Sequence, residues 1–100
     1  MPQLTSTQRT YLRRLAHHLK PVVQIGKLGL TGAVQASVEE TLNAHELIKV
    51  KFMDFREQKH ELAEQLAAAS GSALVGIIGN IAIFYRQQSN PQKRKIILPA

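Results

Sequence analysis

The sequence predicts an α/β domain of two layers, in which helices pack on a four-stranded mixed sheet. Segments with a helical repeat of apolar residues alternate with short apolar runs as far as about residue 70. Two further apolar runs flank Gly79-Asn80, a dipeptide typical of a hairpin turn. The element order is therefore αβαβαββ. A chain of 100 residues without cysteine can bury one core without disulfides, so we expect residues 1–100 to form a single domain.

The first helix is predicted to run from about Thr5 to Lys20. Residues 5–8, Thr-Ser-Thr-Gln, fit a capping box at its start. Pro21 disfavours helical geometry in the residue before it and is expected to end the helix. The apolar run from Pro21 to Ile25 then predicts the first strand.

One face of this helix is predicted to be basic. At 100° per residue, a single arc collects four basic or titratable side chains, those of Arg9, Arg13, His17 and Lys20. Arg14 flanks the apolar face on its other side. A solvated helix face usually mixes charges of both signs, but this arc has no carboxylate. We therefore favour a stripe that contacts phosphate groups, with an ordinary solvated face as the alternative.

A glycine-rich loop, Gly26-Lys27-Leu28-Gly29, follows the first strand and precedes a second helix, for which Thr31 is the predicted N-cap. Glycine allows positive φ and the close approach of a ligand. A helix N-terminus offers unpaired N–H groups and the positive end of the helix dipole, and the lysine adds a full charge. The loop is therefore a candidate phosphate site. The alternative is that its glycines serve only the geometry of a strand-to-helix connection.

The second strand follows a second helix that is predicted to end at residue 44 or 45. It covers residues 47–52, where apolar residues alternate with Lys49 and Lys51. These two lysines project from the wet face of the strand. Contact with RNA and a role as edge or solubility lysines are equally compatible with that position.

The third helix is predicted to begin near Asp54, where residues 54–57 imitate a capping box, and to place Phe55 in its core stripe. It is expected to continue to Ala69 and to stop at Ser70-Gly71. The last two strands are predicted over residues 73–78 and 81–86.

The distribution of charge points to a polyanion as the partner. The net charge is +6, and the seven acidic residues all lie between residues 39 and 64. Residues 1–38 carry five lysines and arginines, residues 65–100 carry four, and neither segment contains an acid. Such segregation favours a basic face over a merely solubilising surface. The acidic third helix is expected to lie on the side turned away from that face.

Residues 88–100 are predicted to form a basic, then apolar tail. The triplet Lys93-Arg94-Lys95 is a candidate phosphate contact, and the apolar run after it predicts that the tail packs back on the domain. No run has the length and apolar character of a membrane span, and the N-terminus lacks a signal-peptide pattern. We therefore expect a soluble, cytoplasmic protein.

The stretch from Leu12 to Lys27, LRRLAHHLKPVVQIGK, closely resembles the bacterial YhbY-type proteins. Those proteins are stand-alone CRM (chloroplast RNA splicing and ribosome maturation) domains. The likeness covers nearly the whole chain, and the block from Ala16 to Gly29 is its most specific part. It continues through residues 29–31 and 44–51, Ile78-Gly79, Tyr85-Arg86, Asn90-Pro91 and residues 93–95.

The resemblance implies a fold similar to the C-terminal domain of translation initiation factor 3. It also implies RNA binding through a GxxG loop comparable to that of KH domains, here residues 26–29. Bacterial members of the family associate with precursors of the large (pre-50S) ribosomal subunit, and plant relatives act in group II intron splicing. Leu28 departs from the family pattern, which has a small residue there. A bulkier side chain either narrows the approach of a backbone or itself contacts a base.

We therefore predict a monomeric, non-enzymatic RNA-binding protein of ribosome biogenesis, which binds 23S rRNA and needs no cofactor or metal. The sequence has no nucleophile motif, P-loop or HExxH pattern. The alternatives are a protein-interaction module that docks on ribosomal proteins through its acidic helix, and a general structured-RNA chaperone. The predicted RNA-binding residues are Arg9, Arg13, Arg14, His17, Lys20, Gly26, Lys27, Leu28, Gly29, Thr31, Lys49, Lys51, Arg86, Lys93, Arg94 and Lys95.

Overall fold

Helices and strands follow one another in the predicted order in a computed structural model that describes residues 3–100. Single 3₁₀ turns precede the third helix and interrupt the tail, at Arg56–Gln58 and Pro91–Lys93. The helices and strands are α1 (Ser6–Ala16), β1 (Val23–Ile25), α2 (Gly32–His45), β2 (Leu47–Phe52), α3 (Lys59–Ser70), β3 (Ala73–Ile78) and β4 (Ile81–Tyr85).

The four strands form one mixed sheet in the order β1-β2-β4-β3. β1 and β2 are parallel, and β4 is antiparallel to both of its neighbours. The predicted two-residue hairpin joins β3 to β4, and Gly79 adopts a φ of 59° there, which suits a residue without a side chain. The α/β class and the mixed sheet with three helices packed on it are confirmed.

Helices cover both faces of this sheet. On one side, Ile48 and Phe84 pack with residues of α2 and α3. On the other, Leu47 and Ile83 pack with Leu12 of α1. Successive residues of a strand point to opposite faces, so apolar runs in β2 and β4 build a core on each side. The sheet thus lies between two helical layers, which is one layer more than the sequence predicted.

The first helix begins as predicted but ends early. The Thr5 hydroxyl accepts a hydrogen bond from the Gln8 N–H at 3.1 Å, and the Gln8 side chain accepts one from the Thr5 N–H at 3.0 Å. The capping box is therefore present. The predicted end, four residues further on, is wrong because α1 stops at Ala16 and the chain turns towards β1. The ammonium of Lys49 stabilises this turn by donating to the carbonyl of Leu19 at 3.0 Å.

The third helix begins at Lys59, later than predicted. The N–H groups of Met53 and Asp54 both donate to the carbonyl of Ile25, at 2.9 and 3.3 Å, which ties the segment after β2 to the end of β1. Phe55 follows in a left-handed conformation, with a φ of 57°, and is 41% exposed. The predictions that Asp54 caps the helix and that Phe55 enters its core are wrong, because this tie to β1 delays the helix.

The C-terminal tail packs back on the domain, as its apolar end predicted. Ile96 and Leu98 contact the core beneath α1. The carboxylate of Glu46, only 1% exposed, accepts three backbone hydrogen bonds of 2.7 to 3.1 Å, donated by Gln88, Lys95 and Ile96. A buried carboxylate is stable when backbone donors replace its water, and here those donors fix the path of the tail.

Candidate nucleic-acid interface

The loop between β1 and α2 is a tight, closed turn. The N–H of Gly29 donates to the carbonyl of Gly26 at 3.0 Å, and Gly29 adopts a φ of 71°. A side chain is strained at that φ, so the second glycine of the loop is required by the backbone geometry. The turn holds Lys27 and Leu28 at its tip, where both side chains are exposed.

This turn leads directly to the N-terminus of α2. The Thr31 hydroxyl accepts a hydrogen bond from the Val34 N–H at 3.1 Å, which confirms Thr31 as the N-cap. The other first-turn N–H groups have no partner within the helix, and they carry the positive end of its dipole. An exposed ammonium, that of Lys27, and a helix N-terminus thus lie within four residues of each other.

The segment between β2 and α3 packs against the loop. The ring of Phe55 contacts Gly29, since a Cβ added to that glycine would lie 3.6 Å from Cε2 of Phe55. Met53 of the same segment is 44% exposed, and Leu28 at the loop tip is 86% exposed. We call Leu28, Met53 and Phe55 the apolar patch. Three exposed apolar side chains therefore accompany the charged loop tip.

Arg9 and Lys49, two of the predicted RNA-binding cations, bind to carbonyl groups inside the protein. Nη1 of Arg9 donates to the carbonyls of Leu74 and Val75, at 2.6 and 3.0 Å. Strand β3 shifts register against β4 between Leu74 and Gly76, and β3 lies at the edge of the sheet, where backbone groups on its outer side have no strand partner. Arg9 therefore provides a hydrogen-bond donor for these two carbonyl groups, just as Lys49 provides one for the Leu19 carbonyl in the turn after α1.

Arg86, a third predicted cation, joins three elements. Nη1 of its guanidinium lies 2.8 Å from both carboxylate oxygens of Glu39 on α2, and 2.7 Å from the carbonyl of Ser70 at the end of α3. Nη2 donates to Oδ1 of Asn43 at 2.8 Å. These bonds tie the end of β4 to both helices, so Arg86 has a structural role in the protein.

Other predicted cations remain exposed on the α1 side of the sheet. Arg13 of α1 lies over β3, with its Nε 3.0 Å from the position of a Cβ on Gly76. Lys51 projects from the same face, since it alternates with Val50 of the α2 side, and it pairs with Gln24 just before the loop. The exposed side chains of Arg13, His17, Lys20 and Lys51 are called the basic face below, and Arg14 of α1 is also exposed.

The basic triplet of the tail lies far from the loop. Nζ of Lys95 is 3.5 Å from the carbonyl of Ala44, near the C-terminus of α2. Nε of Arg94 donates to the carbonyl of Gln88 at 2.8 Å. The loop meets the opposite end of α2, and a helix of 14 residues is ~21 Å long. The structure does not bring the triplet and the loop together.

The acidic third helix lies on the face of the sheet opposite α1. α3 packs with α2 on the second side of the sheet and exposes Glu61 and Glu64. α1 carries only basic charge. The basic α1 and the acidic α3 therefore lie on opposite faces of the sheet.

Comparison with known proteins identifies the family. The model of the CRS1 / YhbY (CRM) domain matches residues 4–86. The chain belongs to the CRM domain family. A Pseudomonas aeruginosa protein, named as a probable RNA-binding protein, is 43% identical over 91 residues, which cover 90% of this chain and 88% of the relative. An RNA-binding protein of Haemophilus influenzae is 42% identical over 100 residues, which cover 99% of this chain and 98% of the relative.

A solved structure has the same fold as this CRM domain. The solution structure of a Staphylococcus aureus protein, described as a candidate RNA-binding protein, gives a TM-score of 0.80. The two chains are 39% identical, and the match covers 97% of this chain and 100% of the other chain. The mixed sheet and its three helices are therefore shared across that match.

Sequence reasoning missed two residues that shape this CRM domain. Glu46 follows α2 with a φ of 64°, a position where glycine or asparagine would have signalled the helix end. Phe55 lies beside the loop because of hydrogen bonds to Ile25, which no local pattern reveals. Within residues 3–100, no three His, Cys, Asp or Glu side chains are grouped to share a metal ion, and no helix is long and apolar enough to cross a membrane.

Proposed function

We propose that this CRM domain is a non-enzymatic RNA-binding protein that binds 23S rRNA in precursors of the large ribosomal subunit. In this proposal it acts in the cytoplasm, as a monomer, during ribosome assembly. The observation that carries the proposal is the exposed turn of residues 26–29, which presents Lys27 directly before the N-terminus of α2. The names of the two relatives describe RNA-binding proteins and support the same class of ligand.

The turn and the first N–H groups of α2 bind one or two backbone phosphates. A helix N-terminus and a lysine both favour a negatively charged group at this position. The basic face extends the contact along the RNA backbone through Arg13, His17, Lys20 and Lys51. Arg9, Lys49 and Arg86 lie outside the proposed surface because each binds a carbonyl group of the protein itself. Each neutralised phosphate releases counterions, so affinity falls steeply with salt.

Sedimentation of the tagged protein from cell lysate on sucrose gradients, at low and high salt, tests the proposal. The wild type is expected to migrate with large-subunit precursors at low salt and to be released at high salt. The Lys27→Glu, Arg13→Glu double variant is expected to be released at both salt concentrations. The Lys93→Glu, Lys95→Glu variant has the same change in net charge at the far end of α2, and it is expected to sediment like the wild type.

Two results would contradict this surface. Equal release of both double variants would mean that net charge alone, rather than the loop and the basic face, governs the association. Release by Glu61→Lys, Glu64→Lys, with normal behaviour of Lys27→Glu, Arg13→Glu, would favour a protein partner bound to exposed α3. The acidic helix would then replace the loop as the site of contact.

A further inference from the structure

We infer that the apolar patch binds one unpaired nucleobase of the RNA whose phosphate lies at the neighbouring turn. The inference rests on the proposed function and deepens it, because it assigns base contact to Leu28, Met53 and Phe55. The turn by itself reads only the RNA backbone. A side chain that stacks on a base adds affinity for single-stranded RNA over a bare sugar-phosphate chain.

The backbone holds Phe55 in place for such a role. The hydrogen bonds from Met53 and Asp54 to Ile25 fix the start of this segment, and Phe55 then adopts a left-handed conformation. That conformation is uncommon for a bulky residue, and residues held in it are concentrated at binding sites. The ring is only partly buried by this conformation and remains 41% exposed beside Gly29. The ring is therefore fixed and accessible at the same time.

The surroundings of the ring favour a base over a phosphate. A shallow, open depression lies against Phe55, and Met53 contributes to its apolar part. Asp54 and Glu57 also line it, with Arg56 and Gln58 at their side. The two carboxylates outnumber the one guanidinium, that of Arg56, so the net negative charge repels a phosphate. The carboxylates can accept hydrogen bonds from the N–H groups of a base. In this arrangement the phosphate binds at Lys27 and the base stacks on the exposed ring of Phe55.

Two RNA probes separate base contact from phosphate contact. One is a fluorescein-labelled oligouridylate of 12 nucleotides, and the other has the same backbone with abasic sugars. Fluorescence polarisation across a salt series gives the affinity and the salt dependence for each. The wild type is expected to bind the base-bearing probe about tenfold more tightly, which is within the range for stacking on one aromatic side chain.

Removal of the ring is expected to abolish this preference. Phe55→Ala loses about tenfold in affinity for the base-bearing probe, keeps its affinity for the abasic probe, and keeps the slope of log affinity against log salt. Leu28→Ala loses about threefold in the same selective way. Ile97→Ala is the matched control, since Ile97 of the tail is 86% exposed, as Leu28 is. It is expected to bind both probes like the wild type.

A tryptophan in place of Phe55 reports on stacking directly. The chain contains no tryptophan, so Phe55→Trp introduces a single fluorophore at the patch. Its emission is expected to be quenched by the base-bearing probe and not by the abasic one, with the preference for bases retained. This variant preserves a ring at the position, so it tests the inference even if Phe55→Ala proves unstable in thermal unfolding.

The outcomes distinguish the inference from the proposed function. If the wild type binds neither probe in a salt-dependent manner, the proposed RNA-binding function fails. If it binds both probes equally and the Phe55→Trp emission does not respond, only the base-binding inference is overturned. If Phe55→Ala binds both probes normally but leaves the precursor fractions on gradients, the patch binds a protein and the inference is equally overturned.

Discussion

The two ends of the sheet differ in how their charged residues are used. At the end where β2 begins and β4 ends, the charged groups of Glu46 and Arg86 form hydrogen bonds within the protein. At the opposite end, Lys27 is exposed on its turn. Glu46 accepts three backbone hydrogen bonds from the tail, and Arg86 binds Glu39 and a helix carbonyl. At the loop end, the ammonium of Lys27 is exposed, and first-turn N–H groups of α2 have no partner within the helix.

This difference shows that basic residues of one sequence serve two separate purposes. A charge that is removed from water must be paired or hydrogen-bonded within the fold, and its loss then lowers stability. A charge that stays in water contributes little to stability and is free to bind a ligand. Arg86 and Lys27 are both basic residues of the family resemblance, yet we expect their substitution to change different measurements.

The largest effect on stability is expected for Glu46, whose buried carboxylate binds the C-terminal tail. Glu46→Ala leaves the N–H groups of Gln88, Lys95 and Ile96 without their acceptor and is expected to lower the free energy of unfolding by about 3–5 kcal/mol. Urea titration measures the change. Glu46→Gln keeps one acceptor oxygen and is expected to lose about half as much. A loss below about 1 kcal/mol for Glu46→Ala would mean that the tail is not held by this residue.

A pair of arginines gives the next contrast. Arg86→Met removes the bonds to Glu39, Ser70 and Asn43 and is expected to cost about 2 kcal/mol of stability, mainly because the Ser70 carbonyl loses a charged donor. Arg13→Met, on the exposed face, is expected to change stability by less than about 0.5 kcal/mol. Urea unfolding compares the two variants. Equal losses of stability in the two variants would contradict the distinction between cations bound within the fold and cations exposed on its surface.

Lys27 and Lys49 extend the comparison from stability to RNA binding. Lys27→Ala is expected to weaken binding of oligouridylate by about three- to tenfold and to reduce the salt slope by about one, with little loss of stability. Lys49→Ala is expected to lower stability while the salt slope stays unchanged, because its ammonium holds the Leu19 carbonyl. An unchanged salt slope for Lys27→Ala would exclude this lysine from the phosphate contact.

The smallest effect on stability at neutral pH is expected for Tyr85, the last residue of β4. Its hydroxyl is buried without a partner among residues 3–100, and burial, with the nearby charge of Glu46, raises its pKa. The folded state therefore keeps this proton to higher pH than the unfolded chain does. Stability is expected to be independent of this group below about pH 10 and to fall above it.

Tyr85→Phe tests that assignment. The variant is expected to be as stable as the wild type at pH 7, or more stable by up to about 1 kcal/mol, because an unpaired buried hydroxyl is removed. Its stability is also expected to fall less between pH 9 and 11, as judged by urea unfolding in that range. A clear loss of stability at pH 7 would show that the hydroxyl has a partner in solution.

Local signals in the sequence were sufficient for most of the element order. The capping box at Thr5, the N-cap at Thr31 and the glycine of the β3–β4 hairpin all act on neighbouring residues, and all three are present in the structure. The bounds of β2 and β3 agree with the prediction, because alternation along a strand depends on the strand alone. The Gly29 turn belongs to the same group of local features.

Only the tertiary structure decided which charges are free and where the exposed ring lies. Arg9 meets the Leu74 carbonyl across 65 residues of sequence, and Arg86 meets Glu39 across 47. Tertiary contacts also accompany the early end of α1, and they place Phe55 beside the loop rather than in α3. Side-chain type fixes what a residue can donate or accept. The partner that it finds depends on which backbone groups the packed sheet leaves unpaired, and that is a property of the whole fold.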